Sequence, residues 1–409
     1  MMRSFPLYTI LLLCVCILLV DTFAFYWLKD IIQPFPPWAK NGIFITFWTF
    51  SAGLITSILL LKIRMNRIPV QRKYFWISSL YGLTVSSFLP KFIFVLAITI
   101  LYLSQSVLSK AGSLIVVPVA GVLFGFLPFF VIINGIFRTL YRFKVHRLKV
   151  EFEDLPKPFN GLRIVHISDL HLGSFNYRYH ILDRAIRIIN QLEPDFIFFT
   201  GDLVNNFAWE LKGWESTLYQ LSAKRGKYAV LGNHDYGDYS QWESDEAKAE
   251  NFEEIKYFFK KTGFSLLLNE AEVIEKEGAK IAIAGVENWG HPPFKQYGNL
   301  KKALKDILNI PFKILLSHDP THWKEEVIHD TNIALTLSGH THGMQAGIDL
   351  KNRKWSPIKY KYEHWAGLYE QGGQYLYVTR GLGWLGFPGR LGMRPEITCL
   401  ELRCDKNNR

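Results

Sequence analysis

Two hydrophobic patterns divide the chain. Through the first 150 residues the apolar positions run continuously, from Leu7 to Leu28, Gly42 to Leu61, Tyr74 to Leu103 and Leu114 to Phe137. A helix needs about 20 apolar residues to cross a hydrocarbon core, so the pattern predicts about four transmembrane helices. The third run is over-long and contains Pro90-Lys91, which predicts a kink or partial insertion there. From Glu151 onward the apolar runs shorten to strand length, and each ends in a polar cluster. RIVHISD (Arg163 to Asp169), DFIFFTGD (Asp195 to Asp202), KYAVLGNHD (Lys227 to Asp235), KIAIAGVEN (Lys280 to Asn288), FKILLSHD (Phe312 to Asp319) and IALTLSGHTHG (Ile333 to Gly343) share this plan. Between the first two, YHILDRAIRIINQLEP has helical spacing. Strands alternating with helical segments predict an α/β core of buried strands. The chain therefore divides into a membrane module, 1–150, and a second domain, 151–409.

Charge sharpens this division. The net charge of +11 suggests a nucleic-acid partner until it is split along the chain. Residues 1–150 carry 15 Lys and Arg against 2 Asp and Glu, and the remaining 259 carry 32 against 34. The basic excess flanks apolar runs, which is the charge pattern of a membrane protein, and no nucleic-acid partner is expected. Lys62, Arg64, Arg67, Arg72 and Lys73 follow the second run, and Arg138, Arg142, Lys144, Arg147 and Lys149 follow the fourth. Cytoplasmic loops retain positive charge, so both ends and the second domain are expected in the cytoplasm of a multi-pass membrane protein. A cleaved signal peptide is the competing reading of the first run, but TFAFYWL continues it without a small-x-small cleavage site. Asp21 falls inside or near the end of the first run, where an intramembrane acid is a functional candidate and an interfacial one is more often solvated, and without acidic or His pairs at matched depth the spans read as an anchor. Four cysteines without a CxxC pair exclude a disulfide framework, and Cys399 and Cys404 are expected to stay reduced.

The candidate chemistry lies at the carboxyl ends of the strands, where ligands collect in open α/β sheets. These ends deliver Asp169 and His171, then Asp202, then Asn233 and His234, then His318, then His340 and His342. Each block alone is weak, since a lone strand histidine is more often a core residue. Five blocks in order, each at a strand end, supply the carboxylates and imidazoles that two closely spaced divalent metals need.

DLH, GD, GNHD, SHD and GHTH in this order resemble the calcineurin-like metallophosphoesterase family over roughly residues 155–402. GHTHGMQ and LYVTRGLG resemble its membrane-associated bacterial branch. The resemblance implies a four-layer α/β/β/α sandwich of two mixed sheets. It assigns Asp169, His171 and His342 to one metal, Asn233, His318 and His340 to a second, and Asp202 to both. It also implies that His234 is the general acid or a phosphate contact, with Asp235 either orienting it or serving as an ordinary turn residue. The cofactors implied are two divalent ions, with Mn, Fe, Zn and Co all compatible with such ligands.

One residue departs from the family pattern. Asn205 stands where many relatives carry an Asp that supports the catalytic histidine, and an amide cannot stabilise an imidazolium by charge. Asn205 and Arg380 are weaker substrate-binding candidates, with an ion-paired role for Arg380 equally open. Met344 replaces a commonly small residue, a change expected to reflect local packing. Trp384, Leu385 and Phe387 read as buried core, with lipid or acyl-chain contact as the alternative.

The leading expectation is a membrane-anchored phosphohydrolase that attacks a phosphoester or pyrophosphate with a metal-bridging hydroxide. Anchoring favours amphiphilic substrates, and the resemblance to a branch with UDP-diacylglucosamine hydrolases implies a lipid-linked pyrophosphate as the first expectation, with phosphomonoesters, nucleotides and peptidoglycan-precursor lipids left open. The alternative is a membrane sensor or scaffold whose phosphoesterase-like domain binds a ligand without turnover.

Overall fold

The computed structural model describes residues 6–103, 110–175, 179–292, 294–328, 330–350 and 353–405, and they form two units. The helical unit comprises residues 4–138 and 386–391, and the second unit nearly all the rest.

In the helical unit, α1 (Leu7–Ile31), α2 (Pro37–Arg64), α3 (Val70–Leu103) and α4 (Lys110–Phe137) are each long and apolar enough to cross a bilayer. Pro36 and Pro37 open α2, where a missing N–H costs nothing because the first-turn donors have no helical partner. Pro90 lies inside α3. Most of the apolar side chains on these helices remain exposed in the isolated chain, as lipid-facing residues would.

Asp21 is paired within the helices rather than solvated. It is 1% exposed, and Lys91 of α3 donates to its Oδ1 at 2.7 Å. The ammonium also reaches Ser51 Oγ of α2 at 3.4 Å and sits 4.5 Å from the centre of the Phe47 ring. The Lys of the Pro90-Lys91 pair is therefore the partner of the buried Asp21, and the pair ties three helices together. Ser78 donates to Gly386 O at 3.0 Å and the Arg390 N–H to Gly135 O at 3.2 Å, so the hexapeptide 386–391 belongs with these helices. Phe387 lies there beside Tyr81.

The second unit contains two six-stranded mixed sheets. The first has the order β1 (Lys144–Phe152), β14 (Glu396–Cys404), β2 (Arg163–Ile167), β3 (Phe196–Thr200), β4 (Gly226–Val230), β5 (Ser265–Leu266). Within it only the β14–β2 pairing is antiparallel. The second runs β12 (Gly367–Gln371), β13 (Gln374–Val378), β9 (Leu335–Ser338), β8 (Lys313–Leu316), β7 (Ala279–Gly285), β6 (Glu270–Lys276), with antiparallel strands only at its two edges. A separate hairpin joins β10 (Ile348–Leu350) to β11 (Arg353–Trp355).

Both faces of the central strands are apolar because both are covered. In β3, Phe196 and Phe198 point between the sheets against Ile283, Phe312 and Leu335, and Ile197 and Phe199 point the other way. There they meet α5 (Tyr179–Gln191), α6 (Glu215–Tyr219) and α7 (Asp245–Lys261) through Ile186, Leu218 and Phe259. On the far side Ala282, Leu315 and Val378 meet α8 (Leu300–Leu304) and Trp323. The result is a four-layer α/β/β/α sandwich. Trp384 is 5% exposed and packs within the first core, its ring 4.3 Å from that of Phe175 at a tilt of 55°.

The Asp21–Lys91 pair makes a testable statement. Lys91→Met alone leaves a buried carboxylate without its cation and is expected to cost about 3 kcal/mol, whereas Asp21→Leu combined with Lys91→Met recovers most of that loss. Thermal unfolding of the full chain in detergent, followed by size-exclusion fluorescence, measures both. Equal losses in the single and double variants would show that the pair is not coupled.

Candidate metal centre

The carboxyl ends of β2, β3, β4, β8 and β9 converge, and the ends of strands from both sheets bring their polar residues together. Asp169, His171, Asp202 and His342 place ligand atoms within 4.8 Å of one another, and so do Asp202, His318 and His340. Asp202 belongs to both groups. Its Oδ2 lies 3.5 Å from His171 Nε2 and 3.3 Å from His318 Nε2. Asn233 completes the second group, with Oδ1 2.8 Å from His340 Nδ1 and 3.2 Å from His318 Nε2.

Tight backbone geometry makes this convergence possible. Asp169, His171, Asp202, His340 and His342 all have φ between 47° and 70°, a region costing non-glycine residues of order 1–3 kcal/mol each. Such values persist only where surrounding bonds over-determine them. Here the Asp169 N–H donates to Gly201 O at 2.9 Å and the His171 N–H to Asp202 O at 3.1 Å, lacing the first loop to the second. Gly339 is obligatory, because a Cβ there would collide with Ser168 Oγ and Asp169 Oδ2. The same is true of Gly232 against Asp202 Oδ1.

Hydrogen bonds behind the ligands set which imidazole nitrogen faces the centre, a common role for groups behind metal-binding histidines. His318 Nδ1–H donates to Thr200 O at 2.6 Å, which turns Nε2 inward. His340 pairs through Nε2 with the Tyr362 hydroxyl at 2.8 Å, which turns Nδ1 inward. His171 Nε2 and His342 Nε2 face each other at 3.0 Å. Two such lone pairs and two carboxylates aimed at one point are the donor set of a divalent cation, so the residues present fit the ions that the family resemblance implies.

Charge and burial within the cluster oppose one another. Burial alone would lower His318, but Asp202 and Asp169 outweigh it and push its pKa up to about 10. Burial lowers His171 to about 3 and His340 to about 4, and burial together with the Asp202 charge raises Asp169 to about 7. Asp202 stays well below the usual carboxylate range, because His318 and His234 overcome its burial.

Asp235 does not orient the His234 ring: its two oxygens accept from the N–H groups of Asp202, Leu203, Val204 and Gly232, so it folds the Asp202 loop. The ring is oriented by Asn205, through the main chain rather than the amide. His234 Nδ1 meets Asn205 O at 2.8 Å, and the amide of Asn205 exchanges hydrogen bonds with Ser174. A backbone carbonyl is available whatever the side chain, which explains how the Asp-to-Asn departure is accommodated. Arg380 is buried and bonded to Glu396 Oε2 at 2.5 Å and faces Asp349 Oδ1 at 3.5 Å, so its charge is neutralised within the fold. Its neighbour Gly381, at φ 72°, lets the chain pass beside Asp169, whose O accepts from the Gly383 N–H at 2.8 Å. Met344 is not buried packing: it is half exposed with φ 54°.

Three contributors were not singled out from the sequence. Tyr239 accepts from Asn233 Nδ2 at 2.8 Å, Tyr362 supports His340, and Glu210 accepts from the N–H groups of Asn205, Asn206 and Phe207. Tyr239 follows GNHD by four residues, but no spacing rule marks it or Tyr362.

Comparison with known proteins agrees with this geometry. Residues 162–344 match the family described as calcineurin-like phosphoesterase, and residues 3–140 match one described as a probable calcineurin-like phosphoesterase transmembrane domain. The chain is 32% identical over 254 residues to the uncharacterized metallophosphoesterase YkuE of Bacillus subtilis, covering 61% of this chain and 82% of that one. It is 30% identical over 259 residues to the phosphodiesterase YaeI of Escherichia coli, covering 63% and 86% respectively. A transmembrane protein with metallophosphoesterase domain from Danio rerio is 31% identical over 268 residues, which cover 64% of this chain and 57% of that protein. The chain belongs to the calcineurin-like phosphoesterases, a family of metal-dependent phosphoester hydrolases, and carries the four-helix membrane domain found with that fold.

Because Asp202 and Asp169 push the His318 pKa up, metal loading is expected to displace a proton from this imidazole. Titration calorimetry of Mn into the metal-stripped full chain near pH 7, in buffers of different ionisation enthalpy, should read at least one proton released per chain. Apparent affinity should rise with pH, by roughly tenfold per unit for each proton displaced. No buffer dependence would mean that His318 is neutral before metal binds.

Proposed function

We propose that the protein is a membrane-anchored phosphohydrolase with a dinuclear centre. Asp169, His171 and His342 would hold one ion, Asn233, His318 and His340 the other, and Asp202 both. The observation that carries this reading is the position of Asp202 Oδ2 between His171 Nε2 and His318 Nε2. A single oxygen facing both half-sites is what a bridging carboxylate requires.

When bound, the cations would polarise the phosphoryl oxygens and lower the pKa of a coordinated water. The chain's own residues supply the rest. Asp202 Oδ1 accepts the main-chain N–H of His234 at 2.9 Å, fixing the histidine beside the bridging group. Asn205 O holds the hydrogen on Nδ1, which leaves Nε2 as the atom that carries a proton to the departing oxygen. The neutral Asn233 amide limits the negative charge of the ligand set, which favours an anionic phosphoester substrate.

The lysine and arginine residues after the second and fourth spans support a cytoplasmic active site. The membrane anchor confines the site near a leaflet and supports an amphiphilic substrate, with a lipid-linked pyrophosphate the first to test. Full-length protein in detergent, stripped of metal and reloaded with Mn, would be assayed on a generic phosphodiester, a phosphomonoester and a lipid-linked UDP pyrophosphate. Metal-dependent turnover of at least one is expected, and no turnover by protein shown to carry metal would overturn the reading. His234→Asn should lower kcat by about 10²–10⁴ with metal content retained. Asn205→Ala keeps the carbonyl that orients His234 and should lower kcat by no more than roughly tenfold, less than the general-acid contribution itself. A loss equal to that of His234→Asn would assign the Asn205 amide a direct role.

A further inference from the structure

The β10–β11 hairpin follows three residues after the Gly343-Met344-Gln345 turn that closes the GHTH motif. Its register pairs Ile348 with Trp355, Asp349 with Lys354, and Leu350 with Arg353. Side chains alternate across a strand, so Asp349 and Lys354 share one face, and Ile348, Leu350, Arg353 and Trp355 share the other.

The polarity of these faces is inverted. The polar face is fastened to its own unit: Lys144 donates to Asp349 Oδ2 at 2.7 Å, Arg380 approaches Asp349 Oδ1, and Lys354 Nζ donates to Ala366 O at 2.6 Å. The apolar face is turned out, with Ile348 51%, Leu350 66% and Trp355 42% exposed. Met344 and Tyr360, close by in the chain, are exposed at 53% and 79%. Among the described residues of this unit ten large apolar side chains are exposed, and these five fall within 344–360, so the exposure is concentrated rather than scattered. Arg353, Lys359 and Lys361 are exposed around it, and the one acid between 344 and 361, Asp349, is paired on the inner face.

An outward layer of Trp, Tyr, Leu and Ile ringed by cations has the composition of a surface that enters the headgroup region of an anionic leaflet. The same chain carries four helices long and apolar enough to cross a bilayer, which tethers this unit to a membrane. We propose that residues 344–350 and 353–361 form an interfacial docking surface for anionic phospholipid, following in the chain directly after the candidate metal ligands His340 and His342. The hairpin thereby presents the metal centre to ligands that reside at the lipid–water boundary, and this holds whatever bond the site hydrolyses.

The test uses the full chain with Cys14, Cys16, Cys399 and Cys404 replaced by Ser and a single nitroxide at Leu350→Cys or Trp355→Cys. A control label at Glu277→Cys sits in the exposed turn between β6 and β7. Each protein is reconstituted into phosphatidylcholine vesicles with and without phosphatidylglycerol, and its metal content checks that the site has folded. The labels at 350 and 355 should be several-fold more accessible to oxygen, relative to a water-soluble nickel chelate, than the control. Arg353→Glu with Lys359→Glu should abolish that difference. Labels at 350 and 355 as aqueous as the control in both lipids would overturn the proposal. Labels shielded from both reagents would also overturn it, because a protein rather than lipid would then cover the face.

Discussion

One carboxylate sets the terms for the rest of the second unit. Asp202 is 2% exposed and faces imidazoles from two different half-sites, so its charge must be met from both sides. The burial penalty for such a group is large unless partners are fixed in advance. The fold fixes them by ending β2, β3, β4, β8 and β9 at one place and forcing five ligands into left-handed backbone conformations. Asp235 and Glu210 stabilise the loops behind, each accepting several main-chain N–H groups where no helix or sheet can. The strain is concentrated at the site, and the sandwich core of phenylalanine and branched aliphatic residues bears it.

The outline of this arrangement was legible in the sequence for a physical reason. A strand buried on both faces must be apolar throughout, so an acid or histidine at its end is conspicuous, and DLH, GD, GNHD, SHD and GHTH each stand out in this way. The long apolar runs were readable on the same ground. What the sequence left hidden is hydrogen bonding between residues far apart. Asp235 and His234 are neighbours, yet the Asp235 carboxylate bonds back across 30 or so residues to the Asp202 loop, and His234 is oriented by a main-chain carbonyl that no side-chain pattern encodes. Lys91 was visible as a charge beside Pro90, but its pairing with Asp21 spans 70 residues. Tyr362 was invisible because a tyrosine near a metal ligand looks like any other aromatic residue.

The two units solve opposite solvation problems. The helical unit leaves many apolar side chains exposed and buries the Asp21–Lys91 pair, while the second unit buries most of its apolar side chains and, outside the metal centre and pairs such as Arg380–Glu396, leaves most of its charges exposed. The β10–β11 hairpin is the place where the second unit adopts the helical unit's rule, with charge inside and Ile348, Leu350 and Trp355 outside. Met344 follows the same rule at a backbone angle that a glycine would occupy without strain.

The central claim is that Asp202 joins two ions, and the most direct measurement of it is metal stoichiometry with spin coupling. Metal-stripped full-length protein loaded with Mn should bind two ions per chain and give the exchange-coupled paramagnetic resonance spectrum of a bridged pair. Asp202→Ala should lose that coupling. A single bound ion, or two ions showing only the six-line spectrum of isolated Mn, would contradict the account.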